Sequence, residues 1–190
     1  PPGVTLAKYK ADDPSIAARY ARAIALYRIP DLNRAIPEID GLIADEPNNT
    51  YFHELKGQML FENGRGAEAV GPYQKAADLL PDNALIRTEL GQVQLERNDP
   101  KLVKPALANL QYATRHEPDN AFAWDQLAIA YGRDAQYGMA ALSSAEAALA
   151  RGNNAEARAQ ATRAEKGLKT GSPGWLRAQD IKDTARPRRG

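Results

Sequence analysis

The 190-residue sequence predicts an all-α fold, a solenoid of stacked helical hairpins with a C-terminal capping helix. Three observations predict it. Pro47, Pro81 and Pro118 close three similar stretches at spacings of 34 and 37 residues. Alanine and glycine recur at matching offsets ahead of each proline. Between the prolines, apolar and small side chains repeat at helical spacing. A fixed period in this range makes binding, not chemistry, the first functional reading.

Residues 1–14 place Pro1, Pro2 and Pro14 around VTLAKYKADD and read as an extended arm or linker. Ser15 is a good N-cap for IAARYARAIALYR, the first inner helix, which Ile29-Pro30-Asp31 interrupts. Leu32–Ala44 forms its partner, and Glu46-Pro47-Asn48 ends the hairpin because the residue before a proline is pushed out of the α region. The first repeat is therefore 16–49. In the second, 50–83, Gly57 lies at a close helix crossing, Gly64 takes the turn, and Ala69, Tyr73, Ala76 and Pro81 follow at small, aromatic, small and proline offsets. The third, 84–120, keeps Leu90-Gly91, Ala106, Leu110, Ala113 and Pro118, and a longer turn around Asn98-Asp99-Pro100-Lys101 is expected to absorb its three extra residues.

In a partial fourth repeat, 121–136, Trp124, Leu127, Ala128 and Tyr131 reproduce the W-x2-L-G-x2-Y pattern, with Ala128 in the glycine slot. These offsets resemble tetratricopeptide (TPR) repeats. A degenerate repeat, 137–169, follows from helices over Tyr137–Arg151 and Asn154–Leu168 around a Gly152-Asn153 turn, with Ala157 and Ala164 at packing offsets. Ser172 and Pro173 then start a capping helix, 172–185, as N-cap and first helical residue. Its Trp175, Ala178 and Ile181 can cover the end of the stack. The TPR domain is expected over 15–185, with 186–190 a disordered tail. Pro37, Pro72 and Pro105 fall inside the second helices of three repeats, so those helices are expected to bend or to start late.

Composition narrows the function classes. Lys plus Arg (25) and Asp plus Glu (24) nearly cancel, so the chain lacks the strong positive field of a nucleic-acid binder. No cysteine is present, which removes disulfides and thiolate zinc sites. No apolar run is long enough to span a membrane. The chain begins Pro1-Pro2-Gly3 without Met or a signal peptide, which suggests a mature form or a piece of something longer.

Catalytic readings fail residue by residue. His53-Glu54-Leu55-Lys56-Gly57 begins like HExxH, but Gly57 occupies the second histidine's place, and one imidazole does not make that zinc site. His53 reads instead as a helix-surface histidine beside a packing glycine. His116 sits at a helix end, where a cation near the carbonyls is ordinary. Ser143, Ser144 and Ser172 lack a nucleophile-elbow context, and Gly64-Arg65-Gly66 is too short for a phosphate cradle. Asp12-Asp13 read as a solvated pair on the arm. No catalytic residue, metal ligand or cofactor is expected in this chain.

The strings YFHELKGQMLFENGR, ALIRTELGQ, EPDNAFAWDQLAIAYGR, GMAALSSAEAAL and GSPGWLRAQDI are together similar to the C-terminal TPR region of bacterial Ste24-like zinc metallopeptidases. The type is periplasmic and serves outer-membrane quality control. The resemblance covers about residues 16–183. It implies a parent with an N-terminal HExxH peptidase domain holding one zinc ion, and a periplasmic location. It also implies that this tail packs on the peptidase domain and contacts protein or peptide partners of envelope assembly. None of the parent's catalytic residues is present here.

In stacks of this kind the first helix of each pair lines the concave face. The partner-binding candidates are therefore Tyr20, Ile24, Tyr27 and Arg28; Tyr51, Glu54, Gln58 and Phe61; Arg87, Thr88, Gln92 and Leu95; and Phe122, Asp125, Ile129 and Arg133. Several of these aromatics could equally pack between neighbouring helices. The Lys and Asn clamp of chaperone-binding TPRs is not reproduced, since Glu54, Gln58 and Thr88 stand in comparable places, and a mixed groove suits an extended or helical peptide. Two readings stay open: an interaction domain of a zinc peptidase, and a free-standing TPR scaffold without protease activity.

Overall fold

A computed structural model describes residues 1–186, and eleven α-helices account for the regular structure among them. The chain divides into two compact units, one over Pro1–Asp82 and one from Asn83 onward. A single domain over 15–185 was the expectation. Division is natural for hairpin repeats, because each packs mainly on its sequence neighbours.

The first unit contains α1 (Pro2–Lys8), α2 (Ile16–Arg28), α3 (Leu32–Asp45), α4 (Thr50–Glu62) and α5 (Gly66–Leu79). The arm is thus partly helical rather than extended. Pro2 fits the first helical turn, where its missing N–H leaves no bond unmade, and Leu6 packs against the core. That core joins Ala23, Leu26, Ala35, Ile39, Leu42, Phe52 and Met59. Burying Leu26, Ile39, Leu42 and Met59 contributes about 1.5–3 kcal/mol each. Gly57 permits the α4–α5 crossing: a Cβ there would stand 2.8 Å from the ring of Tyr73.

The second unit contains α6 (Ala84–Glu96), α7 (Pro100–His116), α8 (Ala121–Arg133), α9 (Tyr137–Ala150), α10 (Asn154–Gly167) and α11 (Pro173–Thr184). Leu95, Ala106, Leu107, Leu110, Leu127, Ala130 and Tyr131 form one core cluster. A second, alanine-rich cluster joins α9, α10 and α11 around Leu142, Ala161 and Ile181. At Gly91 a Cβ would meet Leu110 at 2.6 Å; at Gly138 it would meet the Gly167 carbonyl oxygen at 2.7 Å. The α9–α10 crossing is therefore backbone on backbone.

Asparagine starts the helices after each proline-marked linker. Asn49, Asn83 and Asn120 accept hydrogen bonds from the amides of Tyr51, Ile86 and Ala123, and Asn153 does the same for Glu156. Ser15 and Ser172 cap α2 and α11.

Two expectations need correction, and one is narrowed. The extra residues of the third repeat lie in α7, which has 17 residues where α3 and α5 have 14, while the α6–α7 turn is as short as the α4–α5 turn. Asp99 caps α7 and Pro100 opens it, so the added residues prolong the helix up to Glu117-Pro118. None of the proline-bearing helices starts late. Pro37, Pro72 and Pro105 sit inside α3, α5 and α7, each about a turn and a half from the start, where one backbone bond is lost and the helix continues. Finally, α8 and α9 close a full hairpin, so the break placed at 136 falls within one repeat, and α10 with α11 supplies the next. The tail assigned to 186–190 lies outside the described residues from 187 on.

Candidate protein-interaction surfaces

In the first unit, Tyr20 packs its ring on Phe52 at 5.9 Å between centroids, so it joins α2 to α4. The Tyr27 hydroxyl donates to Glu62, and burial, then that bond, push its phenol well above the ordinary tyrosine range. Gln58 donates to the same carboxylate at 2.9 Å. Ile24 and Phe61 are half-buried. The contacts these residues make are packing and hydrogen bonding within the unit. Arg28 and Tyr51 are exposed, Tyr51 by 62%.

Glu54 differs from its neighbours. It is half-buried, and desolvation raises its carboxyl above the ordinary glutamate range. No hydrogen bond or ion pair engages it among the described residues. The best-anchored polar residue of this unit escaped the sequence reading. Arg22 is buried, and it grips Glu38 with Nε at 2.7 Å and Nη2 at 3.0 Å while Nη1 donates to the carbonyls of Lys10 and Asp13 at 2.6 and 2.9 Å. That side chain fastens the segment after α1 to α2 and α3. Asp13, on the supposedly free acidic pair, accepts from the Ser15 amide at 3.0 Å, which holds its carboxyl below the usual range.

Both histidines bond to main-chain carbonyls. His53 is buried rather than on the surface, and its Nε2 donates to the Pro47 carbonyl at 2.8 Å. His116 stacks on Tyr112 and donates to its carbonyl. Among the described residues no three His, Asp or Glu side chains gather to hold a metal ion. The residues present do not fit the zinc implied for the parent's peptidase domain.

In the second unit, two candidates are withdrawn. Thr88 is 1% exposed and donates to the Ala84 carbonyl, and Leu95 is a core residue. Their helix, α6, buries most of its faces, which a one-face reading of helical period misses. Arg87 lies over the Tyr112 ring at 4.2 Å and donates to Asn109, and Gln92 donates to Glu96. Asp125 pairs with Arg151, while exposed Arg133 donates to the Leu95 carbonyl. Phe122 and Ile129 stay open on α8, at 46% and 44% exposure.

Ile129 belongs to a groove of about 750 Å³ between α8, α9 and α10. Tyr137, 71% exposed, lines it from α9, and Gln160, Arg163 and Lys166 line it from α10. Ala128, Ala140 and Ala141 leave it open by their small size. A second cleft, about 570 Å³, opens between α7, α9 and α11 with Trp124 and Tyr131 of α8 among its lining. Sequence offsets reached Ile129 alone in the first groove, because its other walls come from a second and a third helix.

Comparison with known proteins places this architecture. Residues 20–84 match the tetratricopeptide repeat family model. The MamA chain of Desulfovibrio magneticus RS-1 superposes with a TM-score of 0.67 at 19% identity, over 88% of this chain and 95% of that one. The C-terminal part of a TPR repeat-containing protein from Cytophaga hutchinsonii gives 0.67 at 17% identity, over 96% and 73%. The fold is the tetratricopeptide-repeat fold. A thermophilic TPR protein of Thermus thermophilus is similar too, with a TM-score of 0.53 at 18% identity, over 95% and 88%. Among curated proteins, the beta-barrel assembly-enhancing protease of Yersinia pestis is 24% identical over 115 residues, 60% of this chain. The match spans only 23% of that protease. No helix among the described residues is long and apolar enough to cross a membrane.

Proposed function

We propose that this chain is the non-catalytic TPR interaction region of a zinc-dependent metallopeptidase of the periplasm, contacting the protease domain and envelope-protein substrates or partners. The observation that carries this reading is the 115-residue likeness to a beta-barrel assembly-enhancing protease. The exposed Tyr51, Phe122 and Ile129 and the open α8–α10 groove support a binding role. The zinc and the hydrolytic chemistry belong to the peptidase domain, and this chain supplies surface.

The test uses the gene and two separately expressed pieces. The expected result is an HExxH segment encoded upstream of Pro1 whose product co-purifies with the tagged chain. Absence of that segment, or two pieces that do not associate, overturns the peptidase reading. A second reading, a free-standing TPR scaffold, rests on the TPR fold shared with MamA. It predicts complex assembly without any linked peptidase.

A further inference from the structure

We infer that the α8–α10 groove binds an acidic protein segment that inserts one aromatic or branched aliphatic side chain between Ile129 and Tyr137 and sets its carboxylates against Arg163 and Lys166. The inference rests on the interaction reading above and names the class of partner.

Charge is the first argument. Elsewhere on the second unit's later helices Arg151 pairs with Asp125, Arg177 with Glu146 and Lys182 with Glu165, while Arg158 of α10 lines a different pocket, away from this groove. Arg163 and Lys166 line the groove without an ion pair or hydrogen bond to any described residue. Two unpaired cations on one wall of a concave, low-dielectric surface attract anions and disfavour basic segments. Spaced three residues apart, they lie about 4.5 Å apart along the helix axis. That separation suits successive side-chain carboxylates better than one chain terminus.

Apolar surface is the second argument. Ile129 and Tyr137 are large, exposed and line the same groove as the cations, an arrangement in which desolvated anchors supply affinity and flanking charges set specificity. The groove exists because Gly138 and Gly167 let α9 and α10 meet backbone to backbone, and alanines line its floor.

The full chain is screened against a library of random peptides of about a dozen residues, acetylated and amidated so that no chain terminus is charged. The enriched sequences are expected to be acidic with an aromatic or branched aliphatic residue, and their affinity is expected to fall as salt is raised. The double variant R163E/K166E should weaken the best peptide at least about tenfold, and Ile129→Ala or Tyr137→Ala about as much. All four residues avoid the core clusters, so thermal melts of the variants should match the parent. Enrichment of neutral or basic peptides overturns the acidic assignment and leaves the interaction reading standing; no enrichment overturns both. Unchanged affinity in R163E/K166E, tight binding of a single-stranded oligonucleotide in place of peptides, or binding that appears only with a free C-terminal carboxylate also overturns the inference.

Discussion

Arg22 shows how much a single buried charge can organise. Its guanidinium ties two backbone carbonyls of the segment after α1 to a carboxylate on α3, so each of its three nitrogens has a partner despite burial. Replacing it by Met keeps the apolar stem but leaves Glu38 and both carbonyls without their donor. Arg22→Met is expected to destabilise the chain by about 2–4 kcal/mol in urea unfolding, whereas a loss below about 0.5 kcal/mol would contradict the anchoring role. Glu54 presents the opposite case. Its carboxyl titrates higher in the folded chain than in the unfolded one, so the folded state binds the proton more tightly. Stability is therefore lost as pH rises from the ordinary glutamate range through the raised value. Glu54→Gln should melt higher than the parent at neutral pH, with the gap closing as the pH drops below that range; a gap independent of pH would contradict the assignment. Arg22 was not legible as special, and Glu54 was singled out only as a candidate on the binding face, not as a desolvated carboxyl. A charged side chain in a helical pattern reads as solvent-facing, and only the fold shows which ones a neighbouring segment covers.

At the scale of elements, glycine positions decide how closely helices approach. Gly57 and Gly91 were legible because the repeat places small residues at fixed offsets, and the structure sets them against Tyr73 and Leu110. The Gly138–Gly167 contact was not legible, since it joins α9 of one hairpin to α10 of the next and follows no offset within a repeat. Because the obstacle at Gly138 is a carbonyl rather than a side chain tip, Gly138→Ala has no easy relief. A loss of about 1–3 kcal/mol in thermal unfolding is expected, and an unchanged melt would show that the crossing is looser than described. The length of α7 carries the same lesson. A count of residues between prolines revealed three extra, but turn and helix are equally able to hold them. Asp99 and Pro100 decide the matter by starting the helix at the usual offset.

For the molecule as a whole, period and small-residue spacing made the all-α hairpin architecture readable, and burial then sorted the interaction candidates. Thr88 and Leu95 went inside, Tyr20 and Tyr27 took packing and hydrogen-bonding duties, and Ile129 remained open in a groove whose charged wall belongs to another helix. A surface assembled from three helices leaves no single-helix signature, so Tyr137, Arg163 and Lys166 could be found only after folding. The central claim is that this chain acts by binding a protein segment along that surface. It is tested most directly by NMR titration of the isotope-labelled chain with its best-selected peptide. The account predicts saturable shifts concentrated at Ile129, Tyr137, Arg163 and Lys166, with the first unit's core unaffected; shifts absent there, or centred on a different face, would contradict it.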